Sequence, residues 1–164
     1  MYKLESHLVK DLESHLINSE NPFTQLNIAF EFDYKNGRTD VIGLTDDGHL
    51  IAFEAKLTRW RDAVHQAYRS TSFAHYSYVV LPKSAVENAL RESHEFERRG
   101  IGLCSIDPSV ASSVINIEIP AEKKEPLLRW LTNKALEYIG LRGETCHSNP
   151  LCCPLPKSSV TAEL

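Results

Sequence analysis

Asp40, Glu54 and Lys56 are the residues whose types and spacing first suggest chemistry. They lie in RTDVIGLT and HLIAFEAKL, two β-type runs separated by Asp46-Asp47-Gly48, which reads as a three-residue hairpin loop with Gly48 in the left-handed conformation. Thr45 then faces His49, and stepping outward one residue at a time sets Asp40 directly opposite Glu54, with Cβ atoms about 4.5–5.5 Å apart. Because strand side chains alternate, Lys56 shares the face of Glu54, while Ile42, Leu44, Leu50 and Ala52 make the rest of that face apolar.

Like charges opposed in a sheet are destabilising unless compensated, and one ammonium beside two carboxylates leaves net negative charge. A divalent cation would compensate it. Hard carboxylate oxygens suit Mg²⁺ or Mn²⁺, and no His or Cys lies in the trio to favour zinc. Lys56 beside such an ion would orient or help deprotonate an attacking water, or stabilise negative charge developing on a phosphate, which are the needs of phosphodiester hydrolysis.

Asp40 followed by Glu54-Ala55-Lys56, on adjacent hairpin strands after one helix and before another, resembles the PD-(D/E)XK nuclease superfamily over roughly residues 2–82. Thr39 stands where the nominal motif has Pro, a position at which the family varies. The resemblance implies Asp40 and Glu54 as metal ligands, the Ala55 carbonyl as a further ligand and Lys56 as the catalytic lysine. It also implies a restriction-endonuclease-like α/β fold, a mixed β-sheet flanked by helices, and Mg²⁺-dependent cleavage of DNA in repair, restriction or recombination. DNA rather than RNA follows from the resemblance alone.

Members of that superfamily often carry a Glu on the first helix. Here Leu4, Leu8, Val9, Leu12 and Leu16 define one arc at about 100° per residue, with Glu5 near its middle and Glu13 at its edge, so Glu5 is the better inward-facing candidate. Many members resemble this chain in a Gln on the helix after the lysine strand, which corresponds to Gln66, about 20° in projection from Arg59. Lys56, Arg59, Arg61 and Arg69 face only Asp62 in local charge, so a phosphate backbone has a docking place at Arg59, Arg61 and Arg69. Glu31 and Asp33 share a strand face, and a two-residue Asn36-Gly37 turn would put Asp33 opposite Asp40; a solvated face is the simpler reading of both.

The elements that must hold these residues are legible in the spacing. A first helix covers 2–19, ended by the turn chemistry of Asn18, Asn21 and Pro22, and three strands follow within 26–57 as a meander. Thr58 can cap a helix from 59 to about 72 whose apolar face is Trp60, Ala63, Val64 and Ala67. HYSYVVLP reads as a buried strand, a polar helix runs from about 83 to 98 and ends at Gly100, and IGLCSI and VINIEI are strands. A last helix spans about 121–139 around Leu127, Leu128, Trp130, Leu131, Ala135 and Ile139. The order αβββαβαββα predicts a mixed sheet between helices over 1–140, followed by a flexible Ser- and Pro-rich tail over 141–164.

Composition narrows the alternatives. The 164 residues are 42% hydrophobic and 24% charged, enough for one core. Eighteen Lys and Arg against 22 Asp and Glu give a net charge of -4, which excludes a uniformly basic nucleic-acid coat. No stretch is apolar enough to span a membrane and the N-terminus is too charged for a signal peptide, so a cytoplasmic location is the default. Cys104 reads as a small buried hydrophobe, and Cys146, His147, Cys152 and Cys153 lack zinc-knuckle spacing. Trp60 and Trp130 read as core anchors. A chain of this size leaves no room for a separate DNA-reading domain, so a homodimer or a partner protein would supply specificity. The competing reading is a catalytically silent nuclease-fold module that binds nucleic acid or a protein partner.

Overall fold

A computed structural model of the chain describes residues 2–17, 21–35, 37–109 and 114–142. Six strands lie side by side in chain order: β1 (Leu26–Tyr34), β2 (Gly37–Thr45), β3 (Leu50–Ala55), β4 (Tyr76–Pro82), β5 (Gly102–Ile106) and β6 (Asn116–Ile119). The first three are antiparallel, β3, β4 and β5 are parallel, and β6 returns antiparallel. The fold is therefore α/β, a mixed sheet flanked by helices.

Alternation in β3 assigns the two faces. Ile51, Phe53 and Ala55 turn towards α1 (Glu5–Ile17), whose Leu8, Leu12 and Leu16 recur at four-residue spacing and are buried among them. Leu50 and Ala52 turn the other way. There α2 (Trp60–Ser70) packs Ala63, Val64 and Ala67 on Val79 and Leu81, and α5 (Arg129–Arg142) packs Leu131, Ala135 and Ile139 on Ala29, Ile42 and Ala52. The expected face of α2 is the observed one, but Thr58 does not cap it: the N-cap is Arg59, without a side-chain bond, and Thr58 offers only its carbonyl to the Trp60 N–H.

The meander is present, with β2 beginning one residue earlier than expected and β3 ending two residues earlier, at Ala55, so that Lys56 lies just past the strand. Gly48 adopts φ +84° in a loop closed by the Thr45 N–H donating to the His49 carbonyl at 3.0 Å. The first hairpin departs from expectation. Tyr34 pairs with Gly37, so Lys35 and Asn36 make the connection and Asp33 opposes Arg38 rather than Asp40. A Cβ at Gly37 would lie 3.0 Å from the Tyr34 hydroxyl, so a larger residue there would displace that side chain. Asn36 itself lies outside the described residues.

Two helical expectations change. The stretch from 83 to 98 is divided into α3 (Lys83–Leu90) and α4 (His94–Glu97) by a turn at 91–93, which brings Phe96 onto Trp60 with ring centroids 5.6 Å apart. The expected stop at Gly100 is present, with φ +67°. The last helix starts at Arg129, not 121: the segment with Pro120 and Pro126 runs extended, and its Glu122, Lys124 and Leu128 N–H groups donate to the carbonyls of Gly100, His75 and Ser72. Leu127 and Trp130 are consequently 87% and 58% exposed, so Trp130 anchors no core, whereas Trp60 is 6% exposed. The helix continues through Gly140 to Arg142; Cys146, His147, Cys152 and Cys153 lie outside the described residues. Among those described, no helix is long and apolar enough to cross a membrane.

Candidate active site at the ends of β2 and β3

The β2–β3 ladder has the expected register from Leu44–Leu50 to Val41–Phe53, and there regular pairing stops. Instead of a backbone partner, the Ala55 N–H finds the carboxylate of Asp40, which accepts it at 2.9 Å. On the other side of β2 the same level is distorted: Glu31, which would oppose Asp40, has φ +53° and is absent from the pairing. The two strands on either side of Asp40 are thus loosened, and its side chain fills the gap to β3.

This distortion corrects the expected facing. Thr39 and Phe32, not Asp40, occupy the helix-covered face at this level: Phe32 packs with Ile42 and Ala29, and the Thr39 hydroxyl lies 3.0 Å from that of Ser70 on α2. Strict two-residue alternation would have put Thr39 with Ala55 on the α1 side. Asp40 is not a regular cross-strand partner of Glu54, yet the two carboxyls remain close enough for Asp40 to be the second-largest influence on the Glu54 proton.

Glu54 is 1% exposed beneath α2. Ser70 Oγ lies 3.5 Å from its Oε1, and Thr39 also hydrogen-bonds it. These contacts do not offset burial, which with the Asp40 carboxylate pushes the Glu54 carboxyl up to about 8. Burial likewise raises Asp40, against the opposing pull of the Ala55 N–H and of Lys56. A buried pair of acids held side by side is the setting in which added positive charge stabilises most.

Lys56 follows directly. Its backbone N–H still joins the sheet, donating to the Val80 carbonyl at 3.1 Å, while Nζ donates to Glu5 Oε2 at 2.9 Å. The Lys56 side chain is 20% exposed and that of Glu5 47%. Glu5 therefore stands at the rim rather than in the interior, and it reaches the site because α1 begins there. Asp40, Glu54, Lys56 and Glu5 are brought together.

Gln66 lies one helical turn before Ser70, and its Oε1 is buried without a hydrogen-bond partner among the described residues. The three arginines are less uniform. Arg59 is exposed and pairs with Asp62, and with Gln66 and Arg69 it borders a shallow groove on α2. Arg61 instead leans over the Trp60 ring at 4.2 Å and pairs with Glu92 at 2.8 Å. Glu31 and Asp33 are exposed; Glu31 lies 3.8 Å from Arg38, and the Asp33 carbonyl accepts from Lys134. Cys104 is fully buried and burial pushes its thiol up, as suits an inert core residue.

Thr39 and Ser70 escaped the sequence reading. Both are 0% exposed hydroxyls touching the Glu54 carboxyl, and the available signal was Ser70 in the otherwise apolar series Ala63, Ala67, Ser70. Among the described residues no three His, Cys, Asp or Glu side chains converge as a metal cage. The donors that fit a cation are Asp40, Glu54 and the Ala55 carbonyl, a hard-oxygen set matched to Mg²⁺ or Mn²⁺ and incomplete without water or substrate oxygens.

No family model and no curated protein matches the chain. Among solved structures it is similar to a protein of unknown function from Silicibacter pomeroyi, with 16% identity and TM-score 0.48 over 82% of this chain and 85% of that one. A repair endonuclease from Pyrococcus abyssi matches at 19% identity and TM-score 0.42, over 66% of this chain and 49% of that one. The EndoMS–dsDNA2 complex matches at 19% and 0.43, over 66% and 47%. The chain thus spans about half the length of these two endonuclease chains. At such identities the likenesses concern the arrangement of helices and sheet and do not bear on activity.

Proposed function

We propose that the chain is a metal-dependent nuclease of the PD-(D/E)XK type that hydrolyses phosphodiester bonds in DNA. The observation that carries this reading is the Asp40 carboxylate seated on the Ala55 N–H, beside the buried Glu54 carboxyl and next to Lys56. A purely structural hairpin has no use for two desolvated acids with a lysine at their side, since apolar residues of similar volume would be at least as stable.

Asp40, Glu54 and the Ala55 carbonyl would hold Mg²⁺ or Mn²⁺. When bound, such an ion would supply positive charge for the negative charge developing on the phosphate and would acidify a water. Ser70 and Thr39 fix the orientation of the Glu54 carboxyl, and the Ala55 N–H fixes that of Asp40. Lys56 directs its ammonium into the same space, where it orients the attacking water or steadies the developing oxyanion, and Glu5 holds it there. Arg59 and Arg69 lie on the exposed side of α2, where they would meet the phosphate backbone.

The test is incubation of purified protein with circular and linear DNA, with Mg²⁺, with Mn²⁺ and with chelator, beside Asp40→Ala and Lys56→Ala. Metal-dependent cleavage lost in both variants is the expected result. Cleavage that survives either substitution overturns the assignment, and DNA binding without cleavage under every metal condition favours a silent binding module instead.

A further inference from the structure

A second cleft begins one residue beyond Lys56, between the start of α2 and α3, and encloses about 600 Å³. Leu57 and Trp60 contribute apolar surface to it. One wall is Arg61, which stacks on Trp60 and pairs with Glu92, itself part of the lining. The other wall is a stripe of Ser84, Asn88 and Arg91. Their spacing of four and then three residues puts them one above another on the same side of α3 and its C-terminal turn.

Among the described residues, nothing else occupies this stripe. Among the described residues, none of the Ser84, Asn88 and Arg91 side chains has a hydrogen bond or ion pair, and all three are exposed. Arginines on the neighbouring elements are paired, Arg59 with Asp62, Arg61 with Glu92, and Arg98 and Arg99 with Glu95. A cation and two neutral hydrogen-bonding groups aligned without partners, facing the Arg61–Glu92 pair, leave the lining one positive charge in excess and suited to an anion that extends along the helix. Ser and Asn side chains and bidentate Arg are the usual contacts to phosphate oxygens.

We propose that this cleft is a track for the phosphate backbone of the nucleic-acid strand continuing past Lys56, with Arg91 as its principal anchor and Asn88 and Ser84 as hydrogen-bond donors. This rests on the nuclease reading and deepens it, because it names where the substrate goes on one side of the cut. Continuity argues for a polymer over a free anion: Leu57 and Thr58, which line the cleft, follow directly on the lysine of the candidate site.

The experiment measures binding of a fluorescent oligonucleotide by anisotropy, in chelator, across about 50 to 200 mM salt, for the unchanged chain, Arg91→Ala and Asn88→Ala. Arg91→Ala is expected to weaken binding and to flatten the slope of log K against log salt by about 0.7 to 0.9, the signature of one lost phosphate contact. In Mg²⁺ the same variant should raise KM with kcat within about twofold, because uniform binding is lost and the reacting groups are intact. An unchanged slope and KM in Arg91→Ala, in a chain that still cuts DNA, sinks the track alone. Loss of inorganic-phosphate binding in Arg91→Ala with oligonucleotide binding unaltered also overturns it. A chain that neither binds nor cuts DNA sinks the track together with the nuclease reading.

Discussion

Lys56 Nζ stands 2.9 Å from Glu5 Oε2, joining the end of the third strand to the first turn of the first helix across 51 positions of sequence. Burial is modest on both sides, so the pair contributes little to stability, about 0–1 kcal/mol as for other accessible ion pairs. Its consequence is positional. Without Glu5 the four-carbon stem of Lys56 has many rotamers, and only some of them aim the ammonium at Asp40. Glu5→Ala should therefore leave the melting temperature nearly unchanged while lowering the DNA-cleavage kcat by about 10- to 100-fold. Thermal melts and single-turnover cleavage read the two effects separately.

Asp40 has two separable tasks, to accept the Ala55 N–H and to carry negative charge. Asp40→Asn keeps an acceptor of the same shape, so it should fold with near-normal stability and fail to cleave. Asp40→Ala leaves the Ala55 N–H without its partner, which costs about 1–3 kcal/mol for a buried donor. Urea titration of the two variants should separate them by that amount, and equal stabilities would show that the 2.9 Å hydrogen bond does not hold β2 to β3.

Glu54 is stabilised poorly by its own surroundings, since two hydroxyl contacts do not compensate a carboxyl buried beside Asp40. Glu54→Gln removes the ionisable group and keeps an acceptor for Ser70. In chelator it should melt at or above the temperature of the unchanged chain. The unchanged chain should gain several degrees with millimolar Mg²⁺ or Mn²⁺, through mass-action stabilisation by a ligand of the folded state, and Glu54→Gln should lose that gain. A metal-induced shift of the same size in both would contradict Glu54 as a ligand.

His75 gives the chain an acid limit at the opposite end of β3. Its Nδ1 accepts the Leu50 N–H at 3.0 Å, and its imidazole is held below the ordinary histidine range, first by burial and then by His49 and Lys123, with Glu125 and Asp47 pulling the other way. A lowered folded value means that the fold favours neutral His75. Its contribution is then complete above the unfolded value, about 6.5, and is lost as pH falls through the lower folded value. The melting temperature should decline over that interval, and His75→Gln, which keeps an acceptor and cannot titrate, should decline less.

Local chemistry determined much of this protein from sequence alone. Gly48 at φ +84° set the β2–β3 turn, and apolar spacing set α1 and the inner face of α2, because loop length and side-chain period act within a few residues. That sufficed to bring Asp40, Glu54 and Lys56 to one end of two strands. The sequence could not show that Asp40 abandons the ladder to bind the Ala55 N–H, that Thr39 takes its place on the covered face, or that Ser70 meets Glu54 from another element. Those contacts join β2, β3 and α2, so they depend on how α2 crosses the sheet. The α5 start at Arg129 likewise reflects hydrogen bonds of Lys124 and Leu128 to His75 and Ser72, far away in sequence. Periodicity identifies the faces, and only packing between distant segments decides which polar groups are left to satisfy one another.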